Sequence, residues 1–249
     1  MKRALPTVAI LAGGLASRMR PLSASVPKAM IEVAGEPFIA HQLRLLRREG
    51  VRQVVLCLGH LGEQVEAFVG GGGRFGLAVR YSSDGARLLG TGGALRKALK
   101  LLGPYFLVLY GDSYLDVAFA PVVEAFAASG LDGLMTVYRN EGRWEASNIV
   151  FEAGRILFYS KTLKRPDMRH IDYGLGILKA EVLERYPQGE PFDLADVYAA
   201  LVERGRLAGF EVQQRFYEIG SPEGLAATEA YLRHAAASAT SSRDADGRS

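Results

Sequence analysis

Thr7-Val8-Ala9-Ile10-Leu11-Ala12-Gly13-Gly14-Leu15-Ala16-Ser17-Arg18-Met19-Arg20-Pro21-Leu22, with Pro27-Lys28 just beyond, decides the fold. The run Thr7 to Leu11 is short and almost wholly apolar, as a strand buried on both faces of a parallel sheet must be. Two glycines at its carboxyl end let the backbone approach a ligand closely, in the crevice where open α/β sheets bind nucleotides. Backbone amides there can hold phosphate oxygens, while Arg18 and Lys28 supply the charge a triphosphate needs. A bare Gly-Gly pair would by itself say only tight turn. The loop does not fit G-x-x-x-x-G-K-[ST], and Gly85 to Gly90 repeats that glycine spacing with Thr91 where lysine belongs. The G-x-G-x-x-G pattern is missing from the first turn, so neither a P-loop ATPase nor a dehydrogenase is favoured.

Outward from this strand, Val54 to Leu58, Ala78 to Tyr81 and Phe106 to Tyr110 repeat the apolar pattern, and amphipathic stretches separate them. Helices are predicted over Phe38 to Glu49, Leu61 to Val69, Gly93 to Leu102 and Ala120 to Ser129. After Tyr138 the texture changes. Ile149 to Phe151 and Ile156 to Tyr159 flank Glu152-Ala153-Gly154 as a hairpin, and Ile171 to Leu178 forms a further strand. Helices over Ala180 to Arg185 and Leu194 to Arg204 precede strands at Leu207 to Gln213 and Phe216 to Ile219. The last helix starts at Ser221-Pro222-Glu223 and is predicted to end near Arg233. The fold class is therefore α/β, a Rossmann-like mixed, mostly parallel sheet flanked by helices. One domain over 1–234 and a polar, disordered tail over 235–249 complete the expectation.

At 249 residues and 49% hydrophobic content the chain can bury a core of that size. Its 30 basic and 27 acidic residues are interspersed, so the net charge of +3 is no basic tract and nucleic acid is not implied as a partner. Cys57 is the single cysteine and lies in an apolar strand, a small hydrophobe rather than a reactive thiol. Met1-Lys2-Arg3 leads straight into the first strand rather than a signal peptide, and no run is long enough to cross a membrane. Cytoplasmic is the expected location.

Together, Gly13-Gly14, Arg18, Pro21-Leu22 and Pro27-Lys28 resemble the signature G-G-x-x-x-R-x-x-P-L with downstream P-K of the sugar-1-phosphate nucleotidylyltransferases. The resemblance extends from Thr7 to Arg233 and implies the nucleotide-diphospho-sugar transferase fold. It assigns Arg18 and Lys28 to the departing diphosphate and makes Gly13 and Gly14 the wrap around the triphosphate. Leu89-Gly90-Thr91-Gly92-Gly93-Ala94-Leu95 is similar to the family's L-G-T-[AG]-G-A-[LI] element, which packs on base and ribose through Gly90 and Thr91. Its glycines would let a flat ring lie against the backbone while a helix N-terminus faces the ligand. Asp84 matches a base-recognition position.

Asp112 ends the strand Phe106 to Tyr110 at the same sheet edge, where a hard oxygen ligand suits Mg²⁺. The resemblance makes it the catalytic metal aspartate. Phe216-Tyr217-Glu218-Ile219-Gly220-Ser221-Pro222 resembles W-x-D-I-G-T-P, which places Glu218 at the second metal position with one methylene more than the usual aspartate. For the acceptor, Asn148, Lys161 and Asp172 match residues that hold the sugar phosphate, and Ser160 replaces the glutamate that commonly holds sugar hydroxyls. His41, His60, His170 and His234 lack metal-ligand spacing.

The implied partners are a nucleoside triphosphate and a sugar 1-phosphate, with a mannose- or heptose-like acceptor and GTP as the leaning. A homo-oligomer is open, a symmetric dimer being common for such enzymes. Two alternatives stay in view: a non-catalytic nucleotide or sugar-nucleotide sensor, and a cytidylyltransferase acting on an acceptor such as phosphocholine.

Overall fold

The computed structural model describes residues 5–14 and 25–246. The first half is built of strand and helix in alternation: β1 (Val8–Ala12), a two-residue ladder β2 (Glu32–Val33) and β3 (Glu36–Pro37), α1 (Phe38–Arg48), β4 (Gln53–Leu58), α2 (Gly62–Val69), β5 (Ala78–Ser83), α3 (Gly90–Ala98) and β6 (Tyr105–Tyr110). β5, β4, β1 and β6 lie side by side and parallel. Alternation along each strand divides the core. Val8, Ile10, Val54, Leu56, Leu107 and Leu109 face one way, with Ile39 and Leu43 of α1 and Val65 of α2. Ala9, Leu11, Val55, Cys57, Phe106 and Val108 face the other, with Leu95 of α3. Both faces are covered, which is why these strands read as continuous apolar runs. Each large side chain so buried stabilises the fold by roughly 1.5–3 kcal/mol.

The second half continues with β7 (Ser113–Tyr114), α4 (Phe119–Ser129), β8 (Gly133–Arg139), the hairpin β9 (Ile149–Glu152) and β10 (Arg155–Tyr159), β11 (His170–Lys179), α5 (Ala180–Glu184), α6 (Leu194–Glu203), β12 (Leu207–Val212), β13 (Tyr217–Glu218) and α7 (Pro222–Asp246). The nine-stranded sheet runs β5-β4-β1-β6-β11-β8-β12-β10-β9. β11 is antiparallel to both β6 and β8, and β12 is parallel to β8. The sheet is mixed as expected, with only β11 and β10 running against the rest.

β8 is missing from the sequence expectation. Its apolar run lacks the alternation that marks a strand, and its state is set by the partners β11 and β12 on either side. Thr136 within it is fully buried and gives its hydroxyl proton to the Leu175 carbonyl at 2.6 Å. The last helix also differs, continuing past Arg233 to Asp246. Ala235-Ala236-Ala237 follows the predicted end, and alanine is the strongest helix former. α7 docks through Leu232 on a small cluster with Phe38, Leu45, Tyr114 and Ile219.

Candidate active site

The carboxyl ends of β1, β4, β5 and β6 open onto one cleft of about 840 Å³. Gly13, Gly14, Lys28, Asp84, Gly90, Thr91 and Asp112 all line it, so residues spread over a hundred positions of sequence meet there. Arg18 lies outside the described residues. Among the described residues nothing lies within 4 Å of where a β-carbon at Gly14 would stand, whereas a side chain at Gly13 would press on the Gly59 backbone at 3.1 Å. Asp84 follows β5 and accepts the Leu89 amide at 3.0 Å, and burial raises its pKa against that hydrogen bond and the charge of Lys97. It therefore serves both the turn and the cleft wall.

The glycines at the start of α3 have a further purpose that the sequence does not reveal. The segment around Phe192 lies directly on them: a β-carbon at Gly90 would meet the Phe192 carbonyl oxygen at 2.7 Å, and one at Gly93 the Glu190 carbonyl oxygen at 2.7 Å. The Gly92 and Gly93 amides donate to Phe192 O at 3.0 and 3.3 Å. The expectation that this helix start presents its amides to a ligand is corrected accordingly. Those two donors are spent on a neighbouring loop, and of the first turn Gly90 and Thr91 line the cleft.

Lys28 Nζ donates to Asp112 Oδ2 at 2.7 Å. The loop carrying Asp112 is clamped from below by Gln42, a fully buried residue of α1, whose amide nitrogen donates to the carbonyls of Tyr110 at 3.0 Å and Ser113 at 2.8 Å. Glu218 arrives by a different route. β13 pairs with β7 so that Glu218 stands opposite Ser113, and the Ile219 amide donates to Asp112 O at 3.0 Å. Its carboxylate accepts the Gly220 amide and the Ser221 hydroxyl, the latter at 2.6 Å. A β-carbon at Gly220 would lie 2.6 Å from Glu218 Oε2, 3.1 Å from Lys28 Nζ and 3.6 Å from Asp112 Oδ2, so the three groups converge on one point. Among the described residues no three His, Cys, Asp or Glu side chains gather as a metal cage. Mg²⁺ does not need one, because it is commonly held by one or two carboxylates with substrate oxygens and water. The pair of carboxylates fits that donor set.

A second cleft, of about 850 Å³, shares Lys28, Tyr110 and Asp112 with the first. Asn148, Lys161 and Asp172 line it, as does Glu218. Asp172 reaches this edge because β11 runs antiparallel to β6, its N-terminal end lying beside the carboxyl end of β6. A bulge between Asp172 and Gly176 then aims the side chain, with Gly174 at φ +96° donating its amide to Asp172 Oδ1 at 3.0 Å. Asn148 Oδ1 accepts the Asp172 amide at 3.0 Å. Burial lifts the Asp172 carboxyl to about 6 despite the Gly174 amide and the nearby Lys161. Ser160 is not among the residues that line this cleft. Its hydroxyl oxygen accepts the amides of Leu163 at 2.9 Å and Thr162 at 3.3 Å and closes a turn.

Three residues with structural roles at the site escape the sequence reading. Gln42 left a signal, a lone amide on the apolar face of α1. Glu145, in the second cleft, carried none. Asp193, bonded to both Thr91 and Lys161, looks in sequence like an ordinary helix cap. Cys57 is buried and its thiol is pushed up to about 12 by desolvation, as expected of an inert core residue. His41 bonds the Val33 carbonyl and His170 pairs with Glu211, and neither lines the two clefts. No helix among the described residues is long and apolar enough to cross a membrane.

Residues 7–152 match the profile of the nucleotidyl transferase family. The N-acetylmuramate alpha-1-phosphate uridylyltransferase of Caulobacter vibrioides is 30% identical over 246 residues, covering 94% of this chain and 100% of that protein. The UTP–glucose-1-phosphate uridylyltransferase of Synechocystis sp. is 28% identical over 216 residues, 79% of this chain. The mannose-1-phosphate guanyltransferase of Gibberella zeae is 28% identical over 232 residues, 90% of this chain. The chain spans only 55% and 63% of the length of those two relatives. Among solved structures, HddC from Yersinia pseudotuberculosis superposes with a TM-score of 0.77 at 23% identity, over 92% of this chain and 100% of its own. At that identity the likeness is one of fold. With the family profile covering more than half of the sequence, and Gly13, Gly14 and Lys28 of the motif lining the cleft, the chain belongs to the nucleotidyl transferase family.

Proposed function

We propose that this protein transfers a nucleotidyl group from a nucleoside triphosphate onto a sugar 1-phosphate, releasing diphosphate. One observation carries the proposal: the Lys28–Asp112 pair stands in the wall common to two clefts, one lined by glycine backbone and the other by polar side chains. A reaction that joins two phosphorylated substrates needs its charged groups at that boundary. An acceptor phosphate oxygen attacks the α-phosphorus in line, one P–O bond forms, and the bond to the departing diphosphate breaks. Both reacting partners are already anionic, so the site must align and neutralise rather than move protons.

Lys28, with Arg18, stabilises the leaving diphosphate. Gly13, Gly14, Gly90, Thr91 and Asp84 hold the nucleotide. Lys161 binds the acceptor phosphate, while Asp172 and Asn148 accept from or donate to sugar hydroxyls. Mg²⁺, when bound, supplies charge neutralisation at the phosphate oxygens, and Asp112 with Glu218 would hold it. The cytoplasm is the location we propose; among the described residues no helix is long and apolar enough to cross a membrane.

For the substrates, the relative matched over its whole length supports UTP and an N-acetylmuramate-like 1-phosphate as the pair to test first. GTP with a mannose- or heptose-like 1-phosphate is the second reading, supported by the guanylyl-transferring relative. The test is a grid of nucleoside triphosphates against sugar 1-phosphates, with Mg²⁺-dependent diphosphate release as readout. Release confined to sugar 1-phosphate rows is the expected outcome. Release only in an added phosphocholine row, or none in any cell, would overturn the proposal, and the second result would favour a sensor.

A further inference from the structure

Asp193 joins the two clefts through one carboxylate. Its Oδ1 accepts the Thr91 hydroxyl at 2.9 Å, the Ala195 amide at 2.9 Å and Lys161 Nζ at 3.1 Å, and Oδ2 also lies 3.3 Å from Lys161 Nζ. Thr91 belongs to the nucleotide cleft and Lys161 to the acceptor cleft. The attachment to the nucleotide side is itself braced, since the Leu194 amide donates to Thr91 Oγ1 at 2.8 Å and the Gly92 amide to Phe192 O at 3.0 Å. Capping α6 would require only the Ala195 contact. The other contacts exceed what a helix start needs.

We infer that Asp193 is a positioning residue that fixes the ammonium of Lys161 for the acceptor phosphate by anchoring it to the nucleotide loop at Thr91. The inference rests on the acceptor-site reading proposed above. A lysine side chain is long and rotamer-rich, and holding it in one place before the substrate arrives removes an ordering loss from binding. The ammonium has three donors, so the Asp193 carboxylate leaves capacity for a phosphate oxygen. Lys161 is also held near the face of Tyr110, its Nζ 6.0 Å from the ring centroid, on the residue shared by both clefts. Burial works against ionisation of Asp193, but the Ala195 amide and Lys161 outweigh it and the Asp193 pKa is lowered.

The decisive variant is Asp193→Asn in the full chain, assayed with the nucleotide and sugar 1-phosphate that the wild type turns over best in the grid. Asparagine keeps the helix cap and an acceptor for the Thr91 hydroxyl while removing the charge that holds Lys161. The side chains of Lys161 and Asp193 are 40% and 48% exposed, so the effect is bounded by that of a surface pair. The expected result is a rise of about fivefold in KM for the sugar 1-phosphate, with kcat, KM for the nucleotide and Tm little changed. In a Lys161→Met background the same substitution should add nothing, because the group it positions is gone. An unchanged acceptor KM in Asp193→Asn, or a parallel rise in both KM values with a fall in Tm, would overturn the inference. Lys161→Met alone separates the two levels. If it leaves the acceptor KM unchanged, the acceptor-site reading fails and the inference falls with it; if it raises that KM while Asp193→Asn does not, the inference alone fails.

Discussion

The two clefts meet at Lys28, Tyr110 and Asp112 yet are made of different material. The nucleotide side is a product of backbone: four parallel strands end at one edge, and glycines bring loop against loop. The acceptor side is a product of side chains projected from antiparallel strands and the loops between them. Each contains a lysine held by an aspartate, Lys28 on Asp112 and Lys161 on Asp193. The first pair is the more enclosed, at 21% and 35% side-chain exposure against 40% and 48%. Under the proposed function, the backbone-built site serves a constant chemical feature, the phosphates, whereas the side-chain-built site can vary with the acceptor.

Substitutions should separate the two halves. The largest effect is expected for Lys28→Ala: kcat falls by about a hundredfold, near 3 kcal/mol, as for removal of a preorganised donor to developing charge. Sugar 1-phosphate affinity, measured by calorimetry without nucleotide, should fall much less, since Lys28 is only part of the wall of that cleft; an equal loss there would erase the division between the clefts. Next comes Gln42→Leu, which leaves the Tyr110 and Ser113 carbonyls without their buried partner at about 1–3 kcal/mol. Tm should fall by several degrees and kcat with it, while an active variant of unchanged Tm would deny the clamp on Asp112. Gly90→Ala places a β-carbon at φ +69° and 2.7 Å from the Phe192 oxygen, a loss of about 1–2 kcal/mol. It should raise KM for the nucleotide more than KM for the acceptor, and steady-state kinetics with each substrate varied will tell.

The smallest effect is a pH dependence on the acceptor side. Asp172 gives up its proton near 6, so KM for the sugar 1-phosphate should improve as pH rises through that value, with Asp172→Asn flattening the profile. Stability has the opposite sign. Between the ordinary carboxyl range and about 6 the native state retains a proton that the unfolded chain has lost, so unfolding becomes easier as pH rises through that window. Asp172→Asn should therefore melt higher than wild type at pH 7 and alike at pH 3.5.

How much of this was legible in the sequence follows the same division. Gly13, Gly14 and Asp112 announce themselves because each sits at the end of an apolar run, and the end of a parallel strand is where ligands collect. Lys161, Asn148 and Asp172 carry no such local mark; their order along the chain and the family resemblance pointed to them, and the structure brings all three to one cleft. The purpose of the Gly90 to Gly93 run was read only in part, because the Phe192 backbone that presses on it lies about a hundred residues away. Gln42 and Asp193 act through contacts of equally long range, 68 and 71 residues for the first and 102 for its partner Thr91 in the second.

The sequence by itself determined the alternation of strands and helices, the glycine pair after the first strand and the carboxylate just past the strand that ends at Tyr110, because hydrophobic period and turn chemistry are local properties of the chain. Only the tertiary structure decided that β8 lies between β11 and β12, that Glu218 is carried beside Asp112 by a two-residue ladder, and that Lys161 rests on Asp193. Strand order, and the pairing of charges brought together by it, depend on which surfaces meet after the chain has folded, and no spacing along the sequence encodes that meeting.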